Sequence, residues 1–184
     1  SDVCSSDLLN SQHQVVLGNP QGDVTLVEFF DYNCGYCKRA LGDMTDLLKS
    51  DQKLRVVLKE FPVLGPGSIE AAQVAVAVRM QDKTGKKYLD FHQKLLGGRG
   101  QADRARALAA AKDAGLDVAR IEKDSKSPEV AAALDESMKL AEALGINGTP
   151  TYVVGDAIVP GAIGIANLRK QIEVARASSA STTR

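Results

Sequence analysis

The run Val24-Thr25-Leu26-Val27-Glu28-Phe29-Phe30 is nearly all β-branched or aromatic, and a turn cluster, Asn19-Pro20-Gln21-Gly22-Asp23, precedes it. Seven residues are too few for a buried helix, and the run does not alternate with polar residues. It therefore predicts a central strand covered on both faces. Residues 35–50 follow with Leu41, Met44, Leu47 and Leu48 at helical spacing, and Leu54-Arg55-Val56-Val57-Leu58 is a second strand. Strand, helix, strand in that order is a βαβ unit, expected to be right-handed with its strands parallel. Val15-Val16-Leu17 predicts a short edge strand ahead of it.

From Ser68 the apolar period becomes helical for about 75 residues. Ser68 is expected to cap a helix over 69–80, with further helices over 86–96 and 102–114 and a short turn over 118–122. Ser127-Pro128-Glu129 supplies a cap, a first-turn proline and a first-turn acid for a helix that keeps Val130, Leu134, Met138 and Ala141 on one face and stops at Gly145. Strand signals return in Thr151-Tyr152-Val153-Val154 and Ala157-Ile158-Val159, joined by the two-residue turn Gly155-Asp156. A last helix is expected over 165–175, with Ile165, Leu168 and Ile172 facing in. The fold class is α/β, a small mixed sheet (βαβ, then ββα) interrupted by helices. The core falls at 14–66 and 145–177, and the helical insertion at 67–144.

The ends differ from this pattern. Residues 1–8 show no initiator Met, no basic region and no apolar stretch, so no secretory signal is visible, and 1–13 is expected to be irregular or non-native. Cys4 is then an exposed thiol in a frayed end, and 178–184 a loose Ser/Thr-rich tail. Charge excludes some functions: 23 Lys+Arg against 23 Asp+Glu give no electrostatic grip on nucleic acid or anionic lipid. No apolar run approaches the roughly 18 residues needed to span a bilayer.

The chemistry sits in Cys34-Gly35-Tyr36-Cys37, where the buried strand gives way to a helix. A thiolate is the species that attacks a disulfide, and the positive end of a helix stabilises it. Cys34, at the helix start, gains most. Cys37, one turn in, is shielded and placed to resolve a mixed disulfide. Half of a zinc site is the competing reading, but no second cysteine pair exists, and His13 and His92 stand at no metal spacing. Each histidine is read as an ordinary surface or packed residue. Glu28, inside the most apolar strand, is either a strand-end acid reaching solvent or a buried proton carrier beneath the cysteines, with Lys59 as its partner. Tyr36 and Ile146 are expected to be exposed beside Cys34 as a shallow groove.

The stretch Phe29-Phe30-Asp31-Tyr32-Asn33-Cys34-Gly35-Tyr36-Cys37-Lys38, with Gly148-Thr149-Pro150-Thr151, closely resembles the DsbA family of the thioredoxin superfamily over residues 14–175. The resemblance implies a thioredoxin-like fold with an inserted helical domain. By position it makes Cys34 the nucleophile, Cys37 the resolving thiol, Glu28 the buried acid and Pro150 a cis-proline facing the dithiol. Thr149 beside that proline would pair with substrate backbone, and Gly35 and Tyr36 would lie against the substrate. Gly35-Tyr36 and the Thr before the proline resemble disulfide isomerases of the DsbC type and DsbA-like relatives linked to copper tolerance. The Pro-His of the strongest oxidases is absent, so the site is expected to be less oxidising than theirs.

The resulting expectation is a thiol–disulfide oxidoreductase acting on unfolded or misfolded proteins, periplasmic by family resemblance. It would need no cofactor or metal beyond its own dithiol, and a membrane redox partner would recycle it. A DsbC-like isomerase or reductase, and a dithiol protein that captures Cu(I), are the alternatives.

Overall fold

One five-stranded sheet organises the computed structural model, which describes residues 2–181 and the side chains of 6–181. From one edge it runs β1 (Val15–Gly18), β3 (Leu54–Glu60), β2 (Val24–Phe30), β4 (Thr151–Val154) and β5 (Ala157–Pro160). β2 and β3 are parallel, and every other pairing is antiparallel. The run that predicted a central strand is that strand: all of β2 except Thr25 is buried.

Eight helices complete the described chain: α1 (Asp2–Asn10), α2 (Gly35–Ser50), α3 (Pro66–Gln81), α4 (Lys86–Leu96), α5 (Arg104–Asp113), α6 (Val118–Asp124), α7 (Pro128–Ala143) and α8 (Ile165–Ser181). Strand alternation divides the core in two. Leu26, Phe30, Val56 and Leu58 face α2, α8 and the inserted helices, meeting Met44, Leu47, Leu168, Ile172 and Phe91. Val27, Phe29 and Val57 face the other way, toward Leu140 and Ala141 of α7 and Leu8 and Leu9 of α1. The last inserted helix thus returns to cover the second face of the sheet.

Several expectations are corrected. Residues 2–10 form α1 rather than an irregular segment. Its C-terminal carbonyls are claimed by the sheet: Asp7 O accepts from Lys59 Nζ at 2.7 Å, and Leu9 O from Arg55 Nη2 at 2.7 Å and Gln14 Nε2 at 2.7 Å. The side chain of Cys4 lies outside the described residues. The last helix continues to Ser181 instead of ending near 175, and the rest of the expected tail, 182–184, also lies outside them. Ser68 does not cap α3, which starts two residues earlier at Pro66 because proline's fixed φ suits the first turn. Ser127 does cap α7, accepting from Val130 N. That helix buries Ala133, Ser137 and Leu140 beside Val130 and Ala141, while Met138 is exposed, because the Ser137 hydroxyl turns inward to donate to Glu60 O.

Candidate active site

Cys34 is the N-cap of α2. Its φ of −82° and ψ of 115° are extended, and its sulfur accepts from the backbone N–H of Cys37 at 3.1 Å. Ser or Thr oxygens usually fill this position, because the first N–H groups of a helix have no partner within it. Here sulfur fills it, so the helix-end dipole and a directed N–H both favour the thiolate. Cys34 Sγ also lies 3.3 Å from Thr149 O. Hydrogen bonding with the Cys37 thiol, then with the Thr149 side chain and the backbone at Cys37 and Tyr36, outweighs burial and lowers the Cys34 pKa from 9.0 to about 6. Cys37 is pushed strongly the other way, first by its thiol's hydrogen bond to Cys34 and then by burial. Cys34 keeps 5% of its surface accessible and Cys37 none, and both are thiols. Only one of the pair is an acidic thiol at the surface.

Thr149-Pro150 is a cis peptide, and it brings the Thr149 carbonyl against Cys34. Pro150 O accepts from Gly161 N at 2.8 Å, and Thr151 Oγ1 donates to Gly148 O at 2.7 Å, which fix the loop on both sides. Tyr36 is 60% exposed, and the Arg39 guanidinium lies 4.3 Å over its ring. A Cβ on Gly35 would meet nothing within 4 Å, so the fold itself does not demand a glycine there. Ile146 is not part of an exposed groove. It is buried in the second core cluster with Phe29 and Val153.

Glu28 is 4% exposed, which decides between its two sequence readings in favour of burial. Loss of hydration, then the Cys34 and Asp43 charges, raise its pKa from 4.5 to about 8. Lys59 is not its partner. In the parallel register Glu28 lies beside Leu58 and Phe29 beside Lys59, so the lysine points to the opposite face of the sheet. There Lys59 Nζ donates to Gln14 Oε1 at 2.9 Å as well as to Asp7 O, and burial brings its pKa down to about 8.

Two neighbours of the dithiol were not singled out from sequence. Asp31 is buried and fully engaged: Oδ1 accepts from Asn33 N and the Ser68 hydroxyl, both at 2.7 Å, and Oδ2 from Val63 N at 2.9 Å and Leu64 N at 3.0 Å. Its backbone carbonyl receives the Cys34 N–H at 3.1 Å. The Asn33 side chain reaches across to Ala102 and Ser68. The local signal was Asp two residues before Asn, an Asx-turn pattern. His92 is a packed residue, as expected: its Nδ1 is hydrogen-bonded to Tyr32 Oη at 2.9 Å, its ring meets Phe30 edge-on, and burial lowers its pKa to about 3. His13 is half-buried, 3.8 Å from Glu136.

Comparison with known proteins agrees with this geometry. A family model described as a DSBA-like thioredoxin domain matches residues 25–173. A thioredoxin-like oxidoreductase from Silicibacter pomeroyi DSS-3 superposes with a TM-score of 0.87 at 45% identity, covering 93% of this chain and 96% of its own. The thiol-disulfide exchange protein alpha-DsbA2 from Wolbachia pipientis superposes with a TM-score of 0.85 at 29% identity, covering 94% and 91%. Among curated proteins, the Na(+)/H(+) antiporter NhaA of Herminiimonas arsenicoxydans is 29% identical over 162 residues, which are 88% of this chain and 25% of that protein. The chain spans about a quarter of the length of the curated relatives it matches.

Proposed function

Because the chain belongs to the DSBA-like thioredoxin domain family, we propose that it is a protein thiol–disulfide oxidoreductase whose redox centre is Cys34-Gly35-Tyr36-Cys37. The observation that carries this is the sulfur N-cap: Cys34 holds its charge on the Cys37 N–H, at the edge of the surface, beside a backbone carbonyl at Thr149. The reading takes up thiol chemistry rather than the cation exchange named for the longer relatives. Among the described residues there is a helix-capping dithiol and no helix long and apolar enough to cross a membrane.

In the oxidising direction, a substrate thiolate attacks Cys34 Sγ of the Cys34–Cys37 disulfide. The S–S bond breaks, a mixed disulfide forms at Cys34, and the electron pair leaves on Cys37. With its high proton affinity Cys37 takes up a proton, and Glu28, buried in the apolar centre of the sheet, is the group placed to supply it. A second substrate thiolate attacks its partner sulfur, and Cys34 leaves as a thiolate. A pKa of about 6 makes it a good leaving group. The substrate is oxidised by two electrons and the protein is left as the dithiol. Thr149 and Pro150 present backbone to an extended substrate segment, and the exposed Tyr36 ring adds apolar contact. Substrates are unfolded or misfolded proteins, which expose thiols and extended backbone together.

An oxidising compartment, periplasmic in a bacterium, and a membrane redox partner that reoxidises the dithiol complete the reading. The dithiol is the only redox group it requires. The test is equilibration of the Cys34–Cys37 pair with glutathione, read by thiol trapping in a Cys4→Ser background. The expected potential lies between those of thioredoxin, about −270 mV, and the strongest oxidant, about −120 mV. The Cys34 pKa also falls between those two, at about 7 and about 3.5. Failure to form an intramolecular disulfide overturns the reading, and a scrambled-disulfide substrate then separates oxidation from isomerisation.

A further inference from the structure

The turn before Cys34 is fastened to the helical insertion by one side chain. Asn33 Oδ1 accepts the Ala102 N–H at 2.6 Å, while Asn33 Nδ2 donates to Ala102 O at 3.0 Å and to Ser68 Oγ at 2.9 Å. Ala102 belongs to the connection between α4 and α5, and both of its backbone polar groups are satisfied by a single amide. A primary amide carries its donor and its acceptor on one carbon in one plane, the pair that a backbone C=O and N–H require. The same connection touches the dithiol helix again, where Lys38 Nζ donates to Gly98 O at 3.1 Å and Gly100 O at 3.4 Å. It is also pressed against the start of α3: a Cβ on Gly67 would lie 2.6 Å from Ala102 O.

We propose that Asn33 is a positioning residue that locks the 97–102 connection to the turn before Cys34, so that docking of the helical insertion determines how the Cys34 thiolate is held. The proposal rests on the thiol–disulfide reading of the site. Asn33 is anchored at both ends: Asp31 Oδ1 holds its backbone N–H, and Ala102 and Ser68 hold its amide. The next residue is Cys34. Its sulfur accepts from Cys37 N on α2, and as a thiol it donates to Thr149 O ahead of β4. A shift of a few tenths of an ångström in the turn that lengthens the Cys37 N contact weakens the donor that holds the thiolate. The charged and titratable groups around the sulfur are Cys37 from the dithiol helix, Glu28 and Tyr152 from β2 and β4, Lys38 one residue beyond Cys37, and Asp31 behind the turn. Asn33 is neutral, so replacing it alters none of these charges. An effect on the thiolate from that replacement travels through geometry.

The experiment is the ultraviolet titration of the Cys34 thiolate in reduced protein carrying Cys4→Ser, compared with Asn33→Ala, Ser68→Ala and Ser127→Ala. Asn33→Ala is expected to raise the midpoint by about one unit, a tenfold weaker acid. Ser68→Ala removes one of the three amide contacts, together with one donor to the Asp31 carboxylate that holds Asn33 N, and moves the midpoint less, in the same direction. Ser127→Ala strips a remote cap from α7, lowers the melting temperature and leaves the midpoint unchanged. The proposal is overturned by a folded Asn33→Ala protein with the parent midpoint, or by Ser127→Ala shifting it equally. If Asn33→Ala does not fold, Ser68→Ala decides by the same criterion. A parent protein that never forms its disulfide with glutathione instead overturns the functional reading, while the midpoint comparison keeps its meaning.

Discussion

At Cys34, a sulfur occupies a position where helices usually place an oxygen, and the consequence is asymmetry within the pair. The N–H and the thiol of Cys37 both stabilise charge on Cys34, and the thiol's own hydrogen bond to Cys34, with burial, makes Cys37 hold its proton tightly. With a pKa of about 6, Cys34 is roughly 90% thiolate at pH 7, against a few per cent for an unperturbed cysteine. Two outcomes are expected from single substitutions. Cys34→Ser abolishes both alkylation at pH 6 and exchange with substrate. Cys37→Ser retains alkylation but accumulates a mixed disulfide, visible on non-reducing gels, because no thiol remains to resolve it. If Cys37→Ser released substrate at the parent rate, Cys37 would not be the resolving group. Cys34, Cys37 and Pro150 were legible from sequence because two short motifs carry them. Glu28 was legible as an anomaly, an acid in an apolar strand. Its assigned partner failed on parity: Lys59 is one register position off, and a single position reverses the face.

At the scale of elements, local periodicity was enough wherever an element's own residues decide its state. β2 and α4 were bounded as observed, and β3 to within two residues. The hairpin turn at Gly155 has the positive φ, +55°, that its glycine predicted. What escaped the sequence depends on partners far away along the chain. α1 has little apolar periodicity of its own, and distant Lys59 and Arg55 satisfy its last carbonyls. The Asn33 clasp joins residues 69 positions apart. Met138 looked like a core residue by spacing, yet α7 is rotated to bring Ser137 to Glu60 O. Two predictions belong here. Gly67→Ala forces a Cβ to 2.6 Å from Ala102 O, so either the start of α3 or the 97–102 connection must move. A loss of about 1–3 kcal/mol in urea unfolding is expected from such overpacking. A loss below a few tenths would mean that the connection yields freely. Ser127→Ala removes the α7 cap and is expected to cost about 1 kcal/mol, with no change in the slope of ΔG against urea.

Across the whole molecule, the sheet buries at its centre an acid whose ionisation is disfavoured. Most buried polar groups here are satisfied, as Asp31 is by four donors. Glu28 instead stays protonated through most of the acid range, because its charged form has lost hydration and faces the Cys34 thiolate. The folded protein therefore binds this proton more tightly than the unfolded chain does. The stabilising contribution is complete below pH 4.5, the unfolded value, and is lost progressively as pH rises through about 8. Over 3.5 units the loss is on the order of 5 kcal/mol. Lys59, whose pKa is depressed to about 8, changes its contribution only above that pH and does not compete in the same window. Glu28→Gln keeps the shape and removes the ionisation. Unfolding free energies of parent and variant, measured from pH 5 to 8 in the reduced state, are expected to diverge steadily in favour of Gln as pH rises. A difference that stays constant across that range would show that Glu28 does not ionise within the fold. The divergence should shrink in the oxidised protein, because closing the disulfide removes the Cys34 charge that helps hold the proton on Glu28. On the proposed mechanism, the same variant is expected to slow the step in which Cys37 gains or loses a proton. The site proposed for exchange thus holds an acid whose own contribution to stability is smaller at pH 8 than at pH 5, and one substitution reads both effects.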